Sequence, residues 1–105
     1  MTVTTVTTFV KENKSTDDYS NPEIKKLIDE YIKSKKMTSD SSVRSGDGLE
    51  ERRTRVYADQ AAYDAYIKEN AVVNNRAIRD KWCKDNKVKR YFRVITASDT
   101  KWNYS

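Results

Sequence analysis

Two kinds of hydrophobic pattern alternate along the chain. Residues 2–10 are Thr, Val and Phe only, and β-branched and aromatic side chains favour a strand. Apolar positions fall on both faces of this strand, so we expect it to lie centrally in a sheet with both faces covered. Further along, Asn21 and Pro22 precede apolar residues spaced three and four positions apart, which predicts an amphipathic helix with a capped N-terminus. The apolar residues of this helix are Ile24, Leu27, Ile28, Tyr31 and Ile32.

A hairpin is predicted after this helix. Residues 37–45 are mostly short and polar, with Val43 the main apolar exception, and such a segment suits a strand at the solvent-facing edge of a sheet. Gly46 and Gly48 supply the φ > 0 freedom that a hairpin turn needs. Residues 49–58 follow as the returning strand, so we expect two antiparallel neighbours here.

A helix with an interruption follows the hairpin. Asp59 is a good N-cap residue, and the apolar residues after it repeat at helical spacing. The helical pattern pauses near Asn70 and resumes over about residues 73–84. In this second stretch Ile78 and Trp82 lie four residues apart, so we expect the pair to form its buried face. Basic side chains spread over the remaining circumference, as on a solvated surface.

The last predicted element is a strand over residues 88–97, preceded by Asn86, which tolerates a left-handed conformation. Residues 99–105 are expected to form a tail, which leaves one domain over residues 1–98. The order of elements is therefore strand, helix, strand, strand, broken helix, strand. This order predicts a ferredoxin-like α+β fold, β-α-β-β-α-β, with a four-stranded antiparallel sheet and the helices on one face.

One segment also resembles a known group of proteins. Residues 55–66, RVYADQAAYDAY, resemble the third strand and second helix of dimeric α+β barrels, which include antibiotic-biosynthesis-monooxygenase-like domains. The resemblance implies that a second copy of the chain covers the free face of the sheet, and it would permit cofactor-free oxygen chemistry. No catalytic residue of that group can be carried onto this sequence. The Thr-rich start and the Lys-, Asn- and Tyr-rich composition resemble small proteins of tailed phages, which would place the protein in the host cytoplasm.

Composition narrows the chemistry further. The 105-residue chain has no His, which removes the commonest general base, the commonest metal ligand and any conventional catalytic triad. A single cysteine, Cys83, excludes an intramolecular disulfide and fits a reducing compartment. Residues 1–10, the longest uncharged stretch, are Thr-rich, so neither a signal sequence nor a membrane span is predicted. We therefore expect a cytoplasmic protein with no metal and no cofactor.

The net charge of +5 is concentrated in residues 71–105, which carry nine basic and three acidic side chains. Aromatic residues are interleaved with these cations, as in proteins that bind single-stranded nucleic acid. If Val56 and Phe92 face the helices, strand alternation puts a basic and aromatic group on the opposite, free face of the sheet. This predicted face consists of Arg53, Arg55, Tyr57, Lys89, Tyr91, Arg93 and Ile95.

Three hypotheses about function follow. The two-sided apolar pattern of the first strand favours a non-enzymatic structural or interaction protein that forms a homodimer through the free sheet face. The first alternative is single-stranded nucleic-acid binding on that face, although the third strand lacks the Gly- and Phe-containing signature of RNA-recognition motifs. The second alternative is a cofactor-free enzyme of the dimeric α+β barrel type. That enzyme would need a pocket between helices and sheet lined by several polar side chains.

Overall fold

Seven elements make up residues 2–96, the part of the chain that the computed structural model describes. In chain order they are β1 (Val3–Val10), α1 (Pro22–Lys33), β2 (Met37–Arg44), β3 (Glu50–Tyr57), α2 (Gln60–Lys68), α3 (Asn70–Asp85) and β4 (Lys89–Thr96). The predicted order is confirmed, including the interruption of the second helical stretch. The predicted tail, residues 99–105, and the domain end at residue 98 lie outside the described residues. Within residues 2–96, no helix is both long and apolar enough to cross a membrane.

The strands form one antiparallel sheet in the order β2-β3-β1-β4. β1 is central, with Val3 opposite Tyr57 of β3 on one side and Thr96 of β4 on the other. Its β-branched and aromatic composition suits this position, whereas the polar β2 forms an edge of the sheet. The central and edge positions expected for these two strands are therefore confirmed.

Local sequence sets where α1 and α2 begin. Asn21 Oδ1 accepts a hydrogen bond from the backbone N–H of Glu23 at 3.1 Å, and Pro22 is the first residue of α1. Asp59 Oδ1 accepts one from the backbone N–H of Ala62 at 2.8 Å at the start of α2. Both bonds satisfy N–H groups that have no partner within the helix itself.

The breaks between later elements follow the backbone conformation of single residues. Glu69 separates α2 from α3 because it is extended, with φ −61° and ψ 138°. After α3 the left-handed residue is Lys87, with φ 56°, whereas Asn86 has φ −103°. The expectation that Asn86 takes this conformation is wrong, because α3 continues to Asp85, one residue further than its sequence pattern indicates.

The helices pack on one face of the sheet, here called the inner face, and bury two apolar clusters. The larger contains Val3, Ile24, Leu27, Ile28, Tyr31, Met37, Tyr57, Ala62, Tyr66 and Val72. The smaller contains Phe9, Cys83 and Val88, with Trp82 packed against it. Val3 and Phe9 lie at opposite ends of β1, about 20 Å apart at ~3.3 Å per residue. The clusters therefore cover the two ends of the inner face and leave its middle to other residues.

α3 buries a different side from the one its sequence pattern indicates. Its buried residues are Val72, Asn75 and Cys83, while Ile78 is 55% exposed. Trp82 is only partly buried, against the smaller cluster. The predicted Ile78–Trp82 face is therefore wrong, because the helix turns a side that includes a polar residue, Asn75, toward the sheet.

The register of β3 reverses another prediction. Tyr57 is 1% exposed and lies opposite the equally buried Val3 on the inner face. Because side chains alternate along a strand, Arg53 and Arg55 also point toward the helices, and Val56 points to the free face. The expectation that Val56 faces the helices is wrong, because the inner face of this strand is polar rather than apolar.

Candidate functional site

A cavity of about 940 Å³ lies between the inner face of the sheet and the helices. Sites for small molecules commonly measure about 300–1,000 Å³. The sheet contributes Thr5 and Thr7 of β1 and Arg53 and Arg55 of β3 to its lining. The cavity forms here because β1 and β3 carry these polar side chains in the middle of the inner face, while the two buried apolar clusters cover only its ends.

Three tyrosines form an aromatic wall at the end of the cavity nearest the larger cluster. The ring centroid of Tyr57 lies 5.2 Å from that of Tyr63 and 5.4 Å from that of Tyr66, both in edge-to-face arrangements. Burial raises the pKa of all three phenols above their ordinary value of 10. The hydroxyls are therefore neutral at pH 7 and can still donate hydrogen bonds to a ligand.

The carboxylates that line the cavity are paired with the arginines of β3. Arg55 Nε donates to Asp40 Oδ1 at 3.1 Å, and Arg55 Nη1 donates to the Tyr66 hydroxyl at 3.3 Å. Arg53 Nε donates to Glu51 Oε1 at 2.9 Å. These bonds hold both guanidinium groups in place, and they engage both carboxylates.

Asn75 of α3 fixes the loop before α1 against the cavity. Its side chain is buried, and its Oδ1 accepts hydrogen bonds from the Tyr19 hydroxyl and, at 3.0 Å, from Asn21 Nδ2. The backbone carbonyl of Tyr19 accepts a further bond from Arg53 Nη2 at 2.5 Å. The Tyr19 ring packs edge-to-face on Trp82, with 5.4 Å between centroids. Side chains of β3 and α3 thus set the position of this part of the cavity wall.

Basic side chains outnumber acidic ones around the cavity by six to two. The basic residues are Lys25, Arg53, Arg55, Arg76, Arg79 and Arg90, and the acidic residues are Asp40 and Glu51. Charges of one sign in a concave site with low-dielectric walls concentrate the electric field there. The cavity is therefore suited to anions.

The seven residues that the sequence places on one sheet face are divided between the two faces. Three of them, Arg53, Arg55 and Tyr57, line the cavity. The other four alternate with the inward-pointing Phe92 and lie on the free face: Lys89, Tyr91, Arg93 and Ile95. The prediction that all seven share one face is therefore wrong, because β3 turns its three residues toward the helices. What each group binds stays a prediction.

Sequence reasoning misses the cavity residues that α2, α3 and β4 contribute. The spacing of Tyr63 and Tyr66 indicates only a helix face, with no sign that a cavity lies beneath it. Arg90 could be found, because it lies two residues from Phe92 and alternation puts it on the same face. Arg79 gives no such signal, since the apolar pattern of α3 is too weak to orient the helix.

Comparisons with known proteins find similarity in structure only. No family model and no curated protein matches the chain. A cofactor-independent oxygenase, SnoaB of Streptomyces nogalater, superposes with a TM-score of 0.58 at 12% identity, over 91% of this chain and 92% of that one. A dimeric ferredoxin-like protein from an uncultured marine organism gives a TM-score of 0.57 at 17% identity, over 90% and 92%.

A third structure, a candidate antibiotic biosynthesis monooxygenase from Deinococcus radiodurans, gives a TM-score of 0.54 at 11% identity, over 92% of each chain. Identities this low show the fold alone. The ferredoxin-like fold is therefore confirmed, as is the resemblance to dimeric α+β barrels that include antibiotic-biosynthesis-monooxygenase-like proteins. The resemblance to phage proteins gains no support from these structures.

Proposed function

We propose that the protein is a non-enzymatic homodimer that binds a small organic molecule in the cavity between sheet and helices. The observation that carries this proposal is the cavity itself, about 940 Å³ in volume. Its walls combine tyrosine rings with threonine hydroxyls and fixed guanidinium groups. Ligand sites combine apolar surface, which covers the body of the ligand, with polar groups that orient it, and both kinds of surface line this cavity.

The chemistry of the walls favours binding over proton transfer. The chain has no His, and Asp40 and Glu51 are each ion-paired with an arginine, at 3.1 and 2.9 Å. Among the described residues that line the cavity, no other carboxylate is present. Cys83 belongs to the smaller cluster, where burial raises the pKa of its thiol and so disfavours the nucleophilic thiolate.

If the protein were an enzyme, its reaction would take place in the same cavity. SnoaB, which shares the fold, is described as a cofactor-independent oxygenase, and the polar pocket that the enzyme hypothesis requires is present here. A reaction that began by removing a proton from its substrate would also need a free base. The paired carboxylates Asp40 and Glu51 are poorly suited to that role, so enzymatic use of the cavity is the alternative rather than the proposal.

The free face of the sheet is the proposed dimer interface. Tyr91 is 57% exposed on this face. Val6 and Val10 of β1 lie diagonally from it, and Ile95 and Val56 lie further along the same face of the sheet. An apolar and aromatic surface of this kind commonly marks a protein contact. The structural neighbour described as a dimeric ferredoxin-like protein supports the same assembly for this chain.

Nucleic-acid binding on the free face is less well supported. The register of β3 removes Arg53, Arg55 and Tyr57 from that face and puts Arg52 there instead, with Glu50 beside it. Three cations, Lys89, Arg93 and Arg52, therefore lie around Tyr91, and the Glu50 carboxylate would repel a phosphate. A groove that follows a nucleic-acid backbone needs several cations along its length. The proposal therefore assigns the free face to a second copy of the chain.

Filling the cavity tests the binding function. The probe is N-phenyl-1-naphthylamine, a neutral aromatic molecule whose fluorescence rises in apolar surroundings. Thr7→Phe adds a ring to the cavity lining, and we expect it to weaken probe binding by at least about fivefold. Thr8→Phe makes the same change on the free face of β1 and should leave the affinity of the cavity unchanged. Equal affinities of the two variants, both folded by circular dichroism, would refute the cavity as the site.

The mass of the protein in solution tests the dimer. By size-exclusion chromatography with light scattering at micromolar concentration, the wild-type protein should have twice the 12.3 kDa chain mass. Tyr91→Glu buries a charge in the proposed interface and should give a monomer. Ile78→Glu alters an equally exposed apolar residue on α3, away from that interface, and should remain dimeric. A monomeric wild-type protein, or an Ile78 variant that dissociates as readily, would contradict this interface.

A further inference from the structure

Arg90 of β4 lines the cavity but lacks the pairing that holds the arginines of β3. Its Nε is buried and has no hydrogen-bond partner among residues 2–96. The guanidinium lies 5.0 Å from the centroid of the Phe92 ring, a contact that engages its π face and does not give the Nε–H an acceptor. A buried N–H without an acceptor is energetically costly, so the Arg90 Nε–H is available to donate a hydrogen bond to a ligand.

The charges around Arg90 also favour the binding of an anion. Burial, followed by the positive charge of Arg79, lowers the pKa of Arg90 below its ordinary value. Arg79 has a partner in Asp80 at 3.3 Å, but the Asp80 side chain is 70% exposed while that of Arg79 is 17% exposed. Water screens a carboxylate in that position. Two guanidinium groups therefore share this end of the cavity, and the one buried carboxylate in the same row of the described sheet, Glu51, is already paired with Arg53.

The two ends of the cavity differ in character. Arg90 lies opposite Phe9 of β1, whereas Tyr57 lies opposite Val3 at the other end of that strand. Arg55, between them, is already bonded to Asp40 and Tyr66. An elongated ligand would thus meet the guanidinium groups of Arg79 and Arg90 at one end and tyrosine rings at the other.

We propose that Arg79 and Arg90 bind the anionic group of the cavity's ligand, which is then a small aromatic or otherwise apolar acid whose body extends toward Tyr57, Tyr63 and Tyr66. This inference rests on the proposed function, since it names the chemical class that the same cavity accepts. The planar guanidinium fork matches the paired oxygens of a carboxylate, sulfonate or phosphate. The tyrosine rings supply the apolar surface for the rest of the molecule.

A pair of matched probes separates the anion site from the cavity. 1-Anilinonaphthalene-8-sulfonate has the same aromatic body as N-phenyl-1-naphthylamine and adds one sulfonate. Arg90→Gln should weaken binding of the sulfonate probe by about tenfold or more, because charge-assisted bonds are lost. Binding of the neutral probe should change by less than about threefold. Arg79→Gln should have the same selective effect and provides a second variant if the first does not fold.

Arg52→Gln is the control, since it removes the same charge from the exposed, free-face side of β3. Both probes should bind this variant as they bind the wild-type protein. If the Arg90 and Arg79 variants weaken both probes equally, the arginines have only a structural role and the inference is wrong. If the wild-type protein binds the neutral probe but not the sulfonate, the inference fails and the cavity function stands. If the wild-type protein binds neither probe, both this inference and the proposed cavity function fail.

Discussion

Asp18 connects the loop before α1 to the sheet. Its carboxylate contacts Lys11 Nζ at 2.6 Å and also accepts a hydrogen bond from Arg44. Lys11 is only 6% exposed, so it depends on a negative partner for its charge to be tolerated. Arg44 in turn lies 3.9 Å from Glu51, which lines the cavity. This single carboxylate therefore supports both the loop and the edge of the site.

Removing this carboxylate should change how stability depends on pH. Burial raises the pKa of Asp18, but hydrogen bonds from Lys11 and Arg44 outweigh it and hold the pKa below the ordinary value of 3.8. A lowered folded pKa means that Asp18 stabilises the fold above 3.8 and loses this effect as pH falls through the folded pKa. We expect Asp18→Asn to unfold at lower urea concentration at pH 7 and to lose less further stability than the wild-type protein on acidification.

The matched control is the exposed neighbour Asp17. Urea unfolding followed by circular dichroism at several pH values between about 2 and 7 covers the relevant window. Asp17→Asn should follow the wild-type profile throughout. Parallel profiles for the wild-type protein and Asp18→Asn would show that the ion pairs of Asp18 add nothing to the fold.

At the residue scale, alternation predicts which side chains share a face but not which face is covered. Phe92 is correctly expected to point inward, because it is apolar on a strand that has an inner and a free face. On β3 the same reasoning selects Val56 over Tyr57, since it assumes that arginines avoid the covered face. Arg53 and Arg55 occupy that face because Glu51 and Asp40 neutralise them there. No local pattern in the sequence reveals those pairs.

Among the elements, α1 and α3 end in the same way. After α1, the N–H of Lys36 bonds to the carbonyl of Tyr31 at 2.9 Å and the N–H of Lys35 to that of Ile32 at 3.0 Å. After α3, the N–H of Val88 bonds to the carbonyl of Cys83 at 2.9 Å. This is the Schellman arrangement, in which the residue after the C-cap is left-handed and usually glycine. Here both positions hold lysine.

Glycine should therefore improve the end of α1. Lys35 has φ 63°, a conformation in which Cβ clashes with the backbone and which glycine adopts freely. We expect Lys35→Gly to raise the free energy of unfolding by about 0.5–1 kcal/mol, after allowing for the greater entropy of glycine in the unfolded chain. Lys26→Gly, at an exposed position in the middle of α1, should lower it by about 1 kcal/mol. Urea denaturation measures both, and a loss of stability in both variants would contradict the backbone argument.

The orientation of a helix can be predicted from sequence when the side that it buries is apolar, and not when that side is polar. α1 packs an apolar stripe on the larger cluster, and the predicted residues from Ile24 to Tyr31 are buried. α3 faces the cavity with Asn75 and Arg79, so its apolar periodicity is weak and Ile78 is left exposed. Helix existence and the break between α2 and α3 could be predicted from caps and composition. The orientation of α3 could not, because it depends on tertiary hydrogen bonds to Tyr19 and Asn21.

For the whole molecule, the sheet separates two surfaces with different proposed roles. The inner face carries the cavity, and the free face carries Tyr91 and Ile95 for a second copy of the chain. The order of elements was enough to predict the fold, because short connections leave few ways to pair these strands. The cavity could not be predicted from the sequence, because its volume depends on the distance between the helices and the sheet. With the proposed interface and the proposed ligand site on opposite faces of the sheet, we expect dimerisation and ligand binding to be separable.

This separation predicts how stability responds to protein and to ligand. For a dimer that dissociates on unfolding, the thermal midpoint rises with protein concentration, because association stabilises only the folded state. The wild-type protein should show this dependence, and the Tyr91→Glu monomer should not. N-phenyl-1-naphthylamine should still raise the midpoint of both, since stabilisation by a ligand depends on its own affinity and concentration. A monomer that folds but no longer responds to the probe would mean that the partner subunit completes the cavity, and the two faces of the sheet would then act as one site.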